Sequence, residues 1–292
     1  MEKRNFGSSG LKVSVLGFGA GHIGGNKITE NEVSLLLNSI LDLGINLIDT
    51  ARGYGLSEER IGKYISQRRR EFVLSTKVGY GIPGYNDWTY DCIIAGVNEA
   101  LRIMRTDYID IVHLHSCPLG TLEYGEVIKA LNKTVEDGKV RVAAYSGENE
   151  ALKFVVDSGA FGSIQTSINI TDQRNLDTIL PAAKEKGIGV IAKRPLANIP
   201  WRFSERPYGE YCEEYWVRWK AMNMDLGIDW NEAALRFTAY TSGVNTCIAG
   251  TSNINHLKNN LEFINKGPLP DNIYNQIRES FKSNDNNWIG LV

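Results

Sequence analysis

The chain has 292 residues, of which 42% are hydrophobic and 23% are charged, so it can bury a sizeable core. Its 32 basic and 34 acidic residues give a formal net charge of -2, and no basic surplus favours nucleic acid or an anionic membrane as a partner. Four scattered cysteines form no CxxC pair and no long apolar segment is present, which disfavours metal sites, disulfide frameworks, secretion and membrane spanning and predicts a cytoplasmic protein.

Short apolar runs of strand length alternate along the chain with amphipathic stretches of helical period. The first run follows RNFGSSGLKVS, which we expect to form a small hairpin over one mouth of the fold. The predicted strands are, in chain order, SVLGF, INLID, EFVLST, YIDIVHL, KVRVAAYS, SIQTSI, GIGVIA and NTCIAG. The predicted helices cover residues 32–43, 57–65, 90–104, 126–136, 150–158, 177–186, 231–240 and 254–263.

This alternation predicts an α/β fold with a parallel sheet. Eight strand–helix units match a closed (β/α)8 TIM barrel better than an open doubly wound sheet, and we expect residues 1–292 to form a single domain. After the seventh strand a connection over 194–229 interrupts the pattern. Four of its residues, Tyr211, Tyr215, Trp219 and Met222, have the spacing of one helical face, which predicts a rim helix that could also act as a lid.

A glycine-rich segment after the first strand imitates a dinucleotide fingerprint. Gly19, Gly21 and Gly24 spell GxGxxG, but the fingerprint requires a helix to open at once, and here the first plausible helix cap is Thr29 or Asn31. We therefore reject a Rossmann site and expect a loop whose bare backbone approaches a ligand at the barrel mouth.

Four polar residues lie at the ends of consecutive predicted strands. Asp49 ends the second strand with Tyr54 on the following turn, Lys77 ends the third, and His115 ends the fourth. In a (β/α)8 barrel these ends converge on one mouth. Each residue alone has an ordinary structural explanation, as a turn residue, a packing ring, a solvated lysine or a structural histidine. Their occurrence together favours a catalytic site.

The combination suits the reduction of a carbonyl group. Alkoxide charge develops on the carbonyl oxygen, and a phenol can donate the proton if a cation stabilises its phenolate. Lys77 would be that cation, Asp49 would pair with it, and His115 would hydrogen-bond the carbonyl oxygen.

The segments DTARGYGLSEERIG, STKVG and DYIDIVHLH, in this order and spacing, closely resemble the aldo-keto reductases. The resemblance implies a catalytic tetrad of Asp49, Tyr54, Lys77 and His115. It also implies reduction of aldehydes or ketones to alcohols, or the reverse oxidation. NADP(H) is implied as the preferred cofactor and NAD(H) as a possible one.

The same resemblance implies a set of cofactor-binding residues at the later strand ends. Ser146 and Gln165 match residues that bind the nicotinamide carboxamide, and the segment after the last strand matches the loop that holds the adenosine phosphate. The local residue pattern agrees with this phosphate-binding role. A glycine turn followed by a Ser or Asn cap begins a helix, and the free N–H groups at a helix start favour an anion. The full set is Gly19, Gly21, Ser146, Gln165, Lys193, Arg194, Pro195, Leu196, Gly250, Thr251, Ser252, His256, Asn259 and Asn260.

The sequence departs from the family pattern at several positions. Gly147 replaces a common Asn, Lys193 replaces a Tyr that stacks on the nicotinamide, and Ser116 replaces a Trp. Gly250 and His256 replace a Lys and an Arg that clamp the 2'-phosphate in one branch.

The substrate is expected to be a small carbonyl compound, which the sequence does not identify further. Candidate walls of an apolar pocket are Tyr80, Trp88, Trp201 and Trp288, the last in a tail, NDNNWIGLV, that could dock across the mouth. Two alternatives remain open: an aldolase with a Schiff base on Lys77, and a nonenzymatic nicotinamide-binding sensor or regulatory protein. The oligomeric state is also open.

Overall fold

A computed structural model describes residues 1–291, and its strands confirm the predicted (β/α)8 barrel. Eight parallel strands close the barrel in chain order, and an antiparallel hairpin precedes them. The hairpin strands are β1 (Lys3–Asn5) and β2 (Lys12–Ser14). The barrel strands are β3 (Leu16–Gly19), β4 (Leu47–Asp49), β5 (Val73–Val78), β6 (Ile109–His115), β7 (Val140–Ser146), β8 (Ser163–Ser167), β9 (Gly189–Lys193) and β10 (Thr246–Ala249).

Helices surround the barrel, and their caps explain where several of them begin. Thr29 and Glu32 form a capping box that starts α1, and the side chains of Thr89 and Asp229 cap α3 and α9. The helices are α1 (Glu30–Asp42), α2 (Ser57–Tyr64), α3 (Tyr90–Met104), α4 (Leu119–Tyr124), α5 (Glu126–Glu136), α6 (Asn149–Ser158), α7 (Ile179–Glu185), α8 (Glu213–Met222), α9 (Trp230–Tyr240), α10 (Ile254–Asn265) and α11 (Asp271–Asn284).

Two helices were missing from the sequence-based prediction. Helix α4 has only six residues, too few to establish a period. Helix α11 buries Ile277 and Phe281, and Ile273 and Tyr274 pack partly buried beside them. These four residues have helical spacing, so the sequence did contain a signal for this helix. Within residues 1–291, none of the helices has the length and apolar character that a membrane span requires.

The hairpin closes one end of the barrel. Phe6, Leu11 and Val13 from the hairpin are buried in a cluster with inward-facing residues of the barrel strands. The barrel members of that cluster are Leu47, Val73, Ile111, Val142, Ala144, Ile191 and Ile248. The lower half of the barrel is therefore an apolar core, and the polar strand ends lie at the opposite mouth.

The connection between β9 and α9 is the predicted insertion, and it contains α8. Tyr215 and Met222 are buried on the inner face of this helix, as predicted. The prediction was wrong for Tyr211, which precedes the helix and is 68% exposed, because α8 begins only at Glu213. A cation, Arg218, completes the buried face instead.

The C-terminal tail packs against the insertion and the mouth of the barrel. The Trp288 ring lies edge-on to Phe281, and the Arg218 guanidinium lies 5.4 Å from the Trp288 ring centroid. Gly290 and Asn149 exchange two hydrogen bonds, of 2.9 and 3.0 Å. The last residue, Val292, lies outside the described residues.

Replacing Phe6 by Ala tests the contribution of the hairpin. Phe6 is fully buried, so Phe6→Ala should lower the free energy of unfolding by about 3 to 5 kcal/mol. Leu35→Ala, at a position that is 64% exposed, is the matched control and should cost less than about 1 kcal/mol. Urea denaturation measures both, and equal losses in the two variants would contradict a plug role for the hairpin.

Candidate active site

The pairing register of the strands brings the polar residues together. Asp49 lies opposite Ser75, and Lys77 lies opposite His113. One strand further, His115 lies opposite Ser146. Because side chains alternate between the two faces of a strand, these residues share the inner face of the barrel with the apolar cluster below them.

Lys77 is the centre of the site. Its Nζ donates hydrogen bonds to Asp49 Oδ2 at 2.6 Å and to the Thr50 carbonyl at 2.8 Å. The side chains of both ion-pair partners are only 2% exposed. Burial alone would lower the pKa of Lys77, but Asp49 and Tyr54 outweigh it and raise that pKa above its ordinary value. The amine therefore stays charged at neutral pH.

Tyr54 is held over this ammonium by a glycine contact. A Cβ on Gly24 would lie 1.7 Å from the Tyr54 carbonyl oxygen, so only glycine allows the two backbones to approach. Leu56 N donates to the Gly24 carbonyl at 3.0 Å and fixes the turn. The Tyr54 ring centroid lies 5.0 Å from Lys77 Nζ. The last glycine of the GxGxxG segment thus supports Tyr54, and the next helix begins only at Glu30.

His115 lies beside Tyr54 as a neutral imidazole. The two rings meet edge-on with centroids 6.2 Å apart. Burial, together with the positive charges of Lys77 and Lys193, lowers the pKa of His115 to about 3. Its Nδ1 atom is hydrogen-bonded to the hydroxyl of Tyr80 at 2.7 Å.

Sequence reasoning missed two buried residues behind the ion pair. Ser75 Oγ donates to Asp49 Oδ1 at 2.7 Å and lies 3.1 Å from His113 Nε2. Because the Ser75 proton points to Asp49, Ser75 must accept from His113 Nε2–H. The sequence contained a signal for both residues. Ser75 and His113 each lie two residues before a predicted site residue, Lys77 or His115, and residues two apart in a strand share one face.

The four predicted catalytic residues line one cavity of about 470 Å³ at the barrel mouth. Seven predicted cofactor-binding residues line the same cavity: Gly19, Gly21, Ser146, Gln165, Lys193, Arg194 and Gly250. An adjoining cavity of about 570 Å³ shares Gly21, Arg194 and Gly250 with it and is also lined by Pro195 and Leu196. A ligand that extends from the tetrad toward Pro195 and Leu196 would occupy both cavities.

The first of these cavities presents an unused amide donor. Ser146 Oγ donates to Gln165 Oε1 at 2.9 Å. Gln165 Nε2 is buried and makes no hydrogen bond within residues 1–291. An unsatisfied buried donor beside a cavity is suited to an acceptor on a ligand, such as the oxygen of a carboxamide.

A second buried ion pair, also missed in sequence, lies beside that donor. Lys193 Nζ is 3.2 Å from Glu148 Oε1, and the Glu148 side chain is fully buried. Glu148 also accepts hydrogen bonds from Thr166 Oγ1 and Ser167 N. Burial lowers the pKa of Lys193, and Glu148 opposes this effect only in part. The Lys193 amine, paired with Glu148, thus lies at the place where the family pattern has an aromatic ring.

The remaining predicted cofactor residues lie at the start of α10. Asn253 caps this helix, and Thr251 Oγ1 lies 3.4 Å from His256 Nδ1. Ser252, His256 and Asn259 are exposed, whereas Asn260 is buried. The helix start next to Gly250 is thus open to an anionic ligand.

Two of the family departures have steric reasons. A Cβ at Gly147 would lie 2.3 Å from the Tyr145 hydroxyl, and one at Gly250 would lie 2.7 Å from the Gly19 carbonyl oxygen. Neither position therefore accepts a side chain without a shift of its neighbours. Ser116 has a left-handed backbone, with φ of 58°, and lines the main cavity.

The predicted substrate residues occupy three different places. Tyr80 contacts His115, and Trp88 packs edge-on against Tyr80 at 5.8 Å. Trp201 packs instead in an aromatic cluster with Trp219 and Trp230. Trp288 covers Arg218, as described above. Of these four residues, Tyr80 contacts a tetrad residue directly, and Trp88 contacts Tyr80.

The buried state of His113 predicts a pH-dependent stability. Burial is the main cause that lowers the pKa of His113 to about 4, whereas an unfolded histidine titrates near about 6.5. Between these values the unfolded chain binds the extra proton, so stability falls as the pH decreases. His113 should therefore lower the free energy of unfolding by about 2 kcal/mol between pH 7 and pH 5.

Urea denaturation at both pH values tests this dependence. His113→Gln should reduce the loss of stability by about 2 kcal/mol. His256→Gln, at an exposed position, should keep the wild-type dependence. An unchanged dependence in His113→Gln would contradict the assignment.

Comparison with known proteins agrees with this architecture. The chain is 32% identical to the L-galactose dehydrogenase of Arabidopsis thaliana over 212 residues, which cover 68% of this chain and 66% of that protein. It is 28% identical to a probable voltage-gated potassium channel subunit beta of the same plant, over 92% of this chain and 93% of that one. The holo structure of an aldo-keto reductase from Bacillus halodurans superposes with a TM-score of 0.82 at 30% identity, covering 96% of both chains. The family model described as "Aldo/keto reductase family" matches residues 15–282, and the chain belongs to that family.

Proposed function

We propose that this protein is an NADP(H)-dependent carbonyl reductase that converts a small aldehyde or ketone to the alcohol. The observation that carries the proposal is the single cavity in which a buried, charged Lys77 lies beneath Tyr54 and beside a neutral His115. This arrangement supplies a proton donor, a cation that stabilises its conjugate base, and a neutral hydrogen-bond donor. The family supports oxidoreductase chemistry in general.

In the proposed reaction, each residue of the tetrad has one role. A nicotinamide cofactor held in this cavity would supply the hydride that the carbonyl carbon receives. His115 hydrogen-bonds the carbonyl oxygen and orients it, and Tyr54 transfers its phenolic proton to that oxygen as negative charge develops. Lys77 stabilises the resulting phenolate, while Asp49 and the Thr50 carbonyl hold the ammonium in place. A proton from solvent then restores Tyr54.

The two adjoining cavities, of about 470 and 570 Å³, support a dinucleotide as the cofactor. Gln165 Nε2 would donate to the carboxamide of the nicotinamide, beside Ser146. Arg194 and Arg202 line the adjoining cavity and would neutralise phosphate charge. Four buried free cysteines are compatible with a reducing cytoplasm as the site of action.

Tyr54→Phe tests the proposed proton donor. Removal of the hydroxyl should lower kcat for a reactive aldehyde about 100-fold or more, since general acid catalysis contributes a factor of this size. Cofactor affinity, measured by quenching of protein fluorescence, should stay within about twofold because the ring remains. Tyr64→Phe, in α2 and remote from the cavity, is the matched control. Full turnover in Tyr54→Phe would refute the assignment.

Cofactor preference depends on the start of α10. Exposed Ser252 and His256 lie at the N-terminal turn of the helix, where a 2'-phosphate would meet free N–H groups. We expect NADPH to bind more tightly than NADH, and His256→Ala to weaken NADPH about threefold to tenfold with little change for NADH. Fluorescence titration of both cofactors measures the difference, and a tighter complex with NADH would reverse the proposed preference.

Two other functions fit the site less well. A Schiff-base aldolase needs an uncharged amine, whereas Asp49 keeps Lys77 charged. Borohydride trapping with a carbonyl substrate would reveal that chemistry. A nonenzymatic regulatory subunit is suggested by the resemblance to a channel subunit, and failure to oxidise NADPH with a panel of aldehydes would favour it.

A further inference from the structure

Tyr80 makes two contacts with His115 that the reaction scheme above does not use. Its hydroxyl is 2.7 Å from His115 Nδ1, and the two rings stack with centroids 5.6 Å apart and an interplanar angle of 23°. Trp88 packs edge-on against Tyr80, with ring centroids 5.8 Å apart. Gly79 leaves room for the Trp88 ring, since a Cβ there would lie 2.1 Å from it, and the Gly79 carbonyl accepts a hydrogen bond from Trp88 N at 2.8 Å. Tyr80 is therefore held in a defined orientation against the imidazole.

The chemistry of the two groups decides which one donates. His115 is neutral, so one ring nitrogen carries a proton and the other has a free lone pair. Burial raises the pKa of Tyr80, so its phenol also stays protonated at neutral pH. A phenol is a stronger donor than a neutral imidazole N–H, and an unprotonated imidazole nitrogen is a stronger acceptor than a phenolic oxygen. Within residues 1–291 the Tyr80 hydroxyl has His115 as its hydrogen-bond partner. Tyr80 O–H therefore donates to Nδ1.

This direction fixes the other side of the ring. With Nδ1 accepting, the single imidazole proton must reside on Nε2, the nitrogen left free toward the cavity that His115 lines. In the opposite tautomer the cavity would meet a lone pair, which repels a carbonyl oxygen.

We propose that Tyr80 is a positioning residue that holds His115 in the Nε2–H tautomer, so that the imidazole donates a hydrogen bond to the substrate carbonyl. This inference rests on the proposed carbonyl reduction for its kinetic consequence, but the tautomer itself does not depend on any substrate.

The decisive measurement is nitrogen NMR of the full chain labelled with 15N-histidine, with the His115 signals assigned by their loss in His115→Asn. The wild-type protein should show a protonated Nε2 and an unprotonated Nδ1. Tyr80→Phe keeps the stacked ring but removes the donor, and it should shift the signals toward a mixture of tautomers. Tyr85→Phe, on the same loop and 47% exposed, is the matched control and should leave them unchanged.

Kinetics on the same proteins complete the test. Tyr80→Phe should lower kcat/KM for an aldehyde about threefold to tenfold, the effect of one lost hydrogen bond, while cofactor affinity stays unchanged. The proposal is overturned by a wild-type proton on Nδ1, by a Tyr80→Phe variant that keeps the Nε2–H tautomer, or by a changed tautomer with unchanged kcat/KM. Failure of the proposed function would look different: the wild-type chain would reduce no carbonyl compound while its tautomer signals stayed as expected.

Discussion

The site depends on two opposite charges that are buried 2.6 Å apart, on Lys77 and Asp49. Each charge is tolerated only because the other is present, since removal of one partner would leave an ion in a low-dielectric interior. The remaining polar atoms are also occupied: the ammonium donates to the Thr50 carbonyl and the carboxylate accepts from Ser75. The pair is therefore held in position, and both groups keep their charge. Tyr54 and His115 are arranged around this fixed ammonium.

The barrel produces this arrangement through its register. Along β5, Val73, Ser75 and Lys77 all face inward, and Val73 belongs to the apolar core with the hairpin, whereas Lys77 belongs to the mouth. The same change from apolar to polar occurs along β6, from Ile111 to His115. The lower layer is a buried apolar core that anchors the strands, and the upper layer lines the cavity of the candidate site. A shift of one residue in either strand would turn the polar side chains of that strand outward.

The sequence revealed the strand ends but not the network behind them. Barrel topology makes the last polar residue of each strand conspicuous, which is why Asp49, Lys77 and His115 could be predicted. Ser75 and His113 lie inside strands that are buried on both faces. The alternation of side chains places both residues on the inner face, but only the observed hydrogen bond shows that they contact each other. Glu148 follows a strand and lies at the start of a helix, where an acidic residue is normally explained by its favourable interaction with the helix dipole. The sequence therefore did not indicate that Glu148 pairs with Lys193.

In the proposed reaction, the positive charges of the cavity give the two candidate acids, His115 and Tyr54, different roles. Lys77 and Lys193 both repel a proton on His115, and burial adds to this effect, so the imidazole stays neutral throughout the physiological range. A neutral imidazole can donate a hydrogen bond but cannot easily give up its only proton. Tyr54 lies next to the same ammonium, which favours the phenolate that remains after proton transfer. In the proposed reaction, one set of charges thus favours the histidine as the orienting group and the tyrosine as the proton donor.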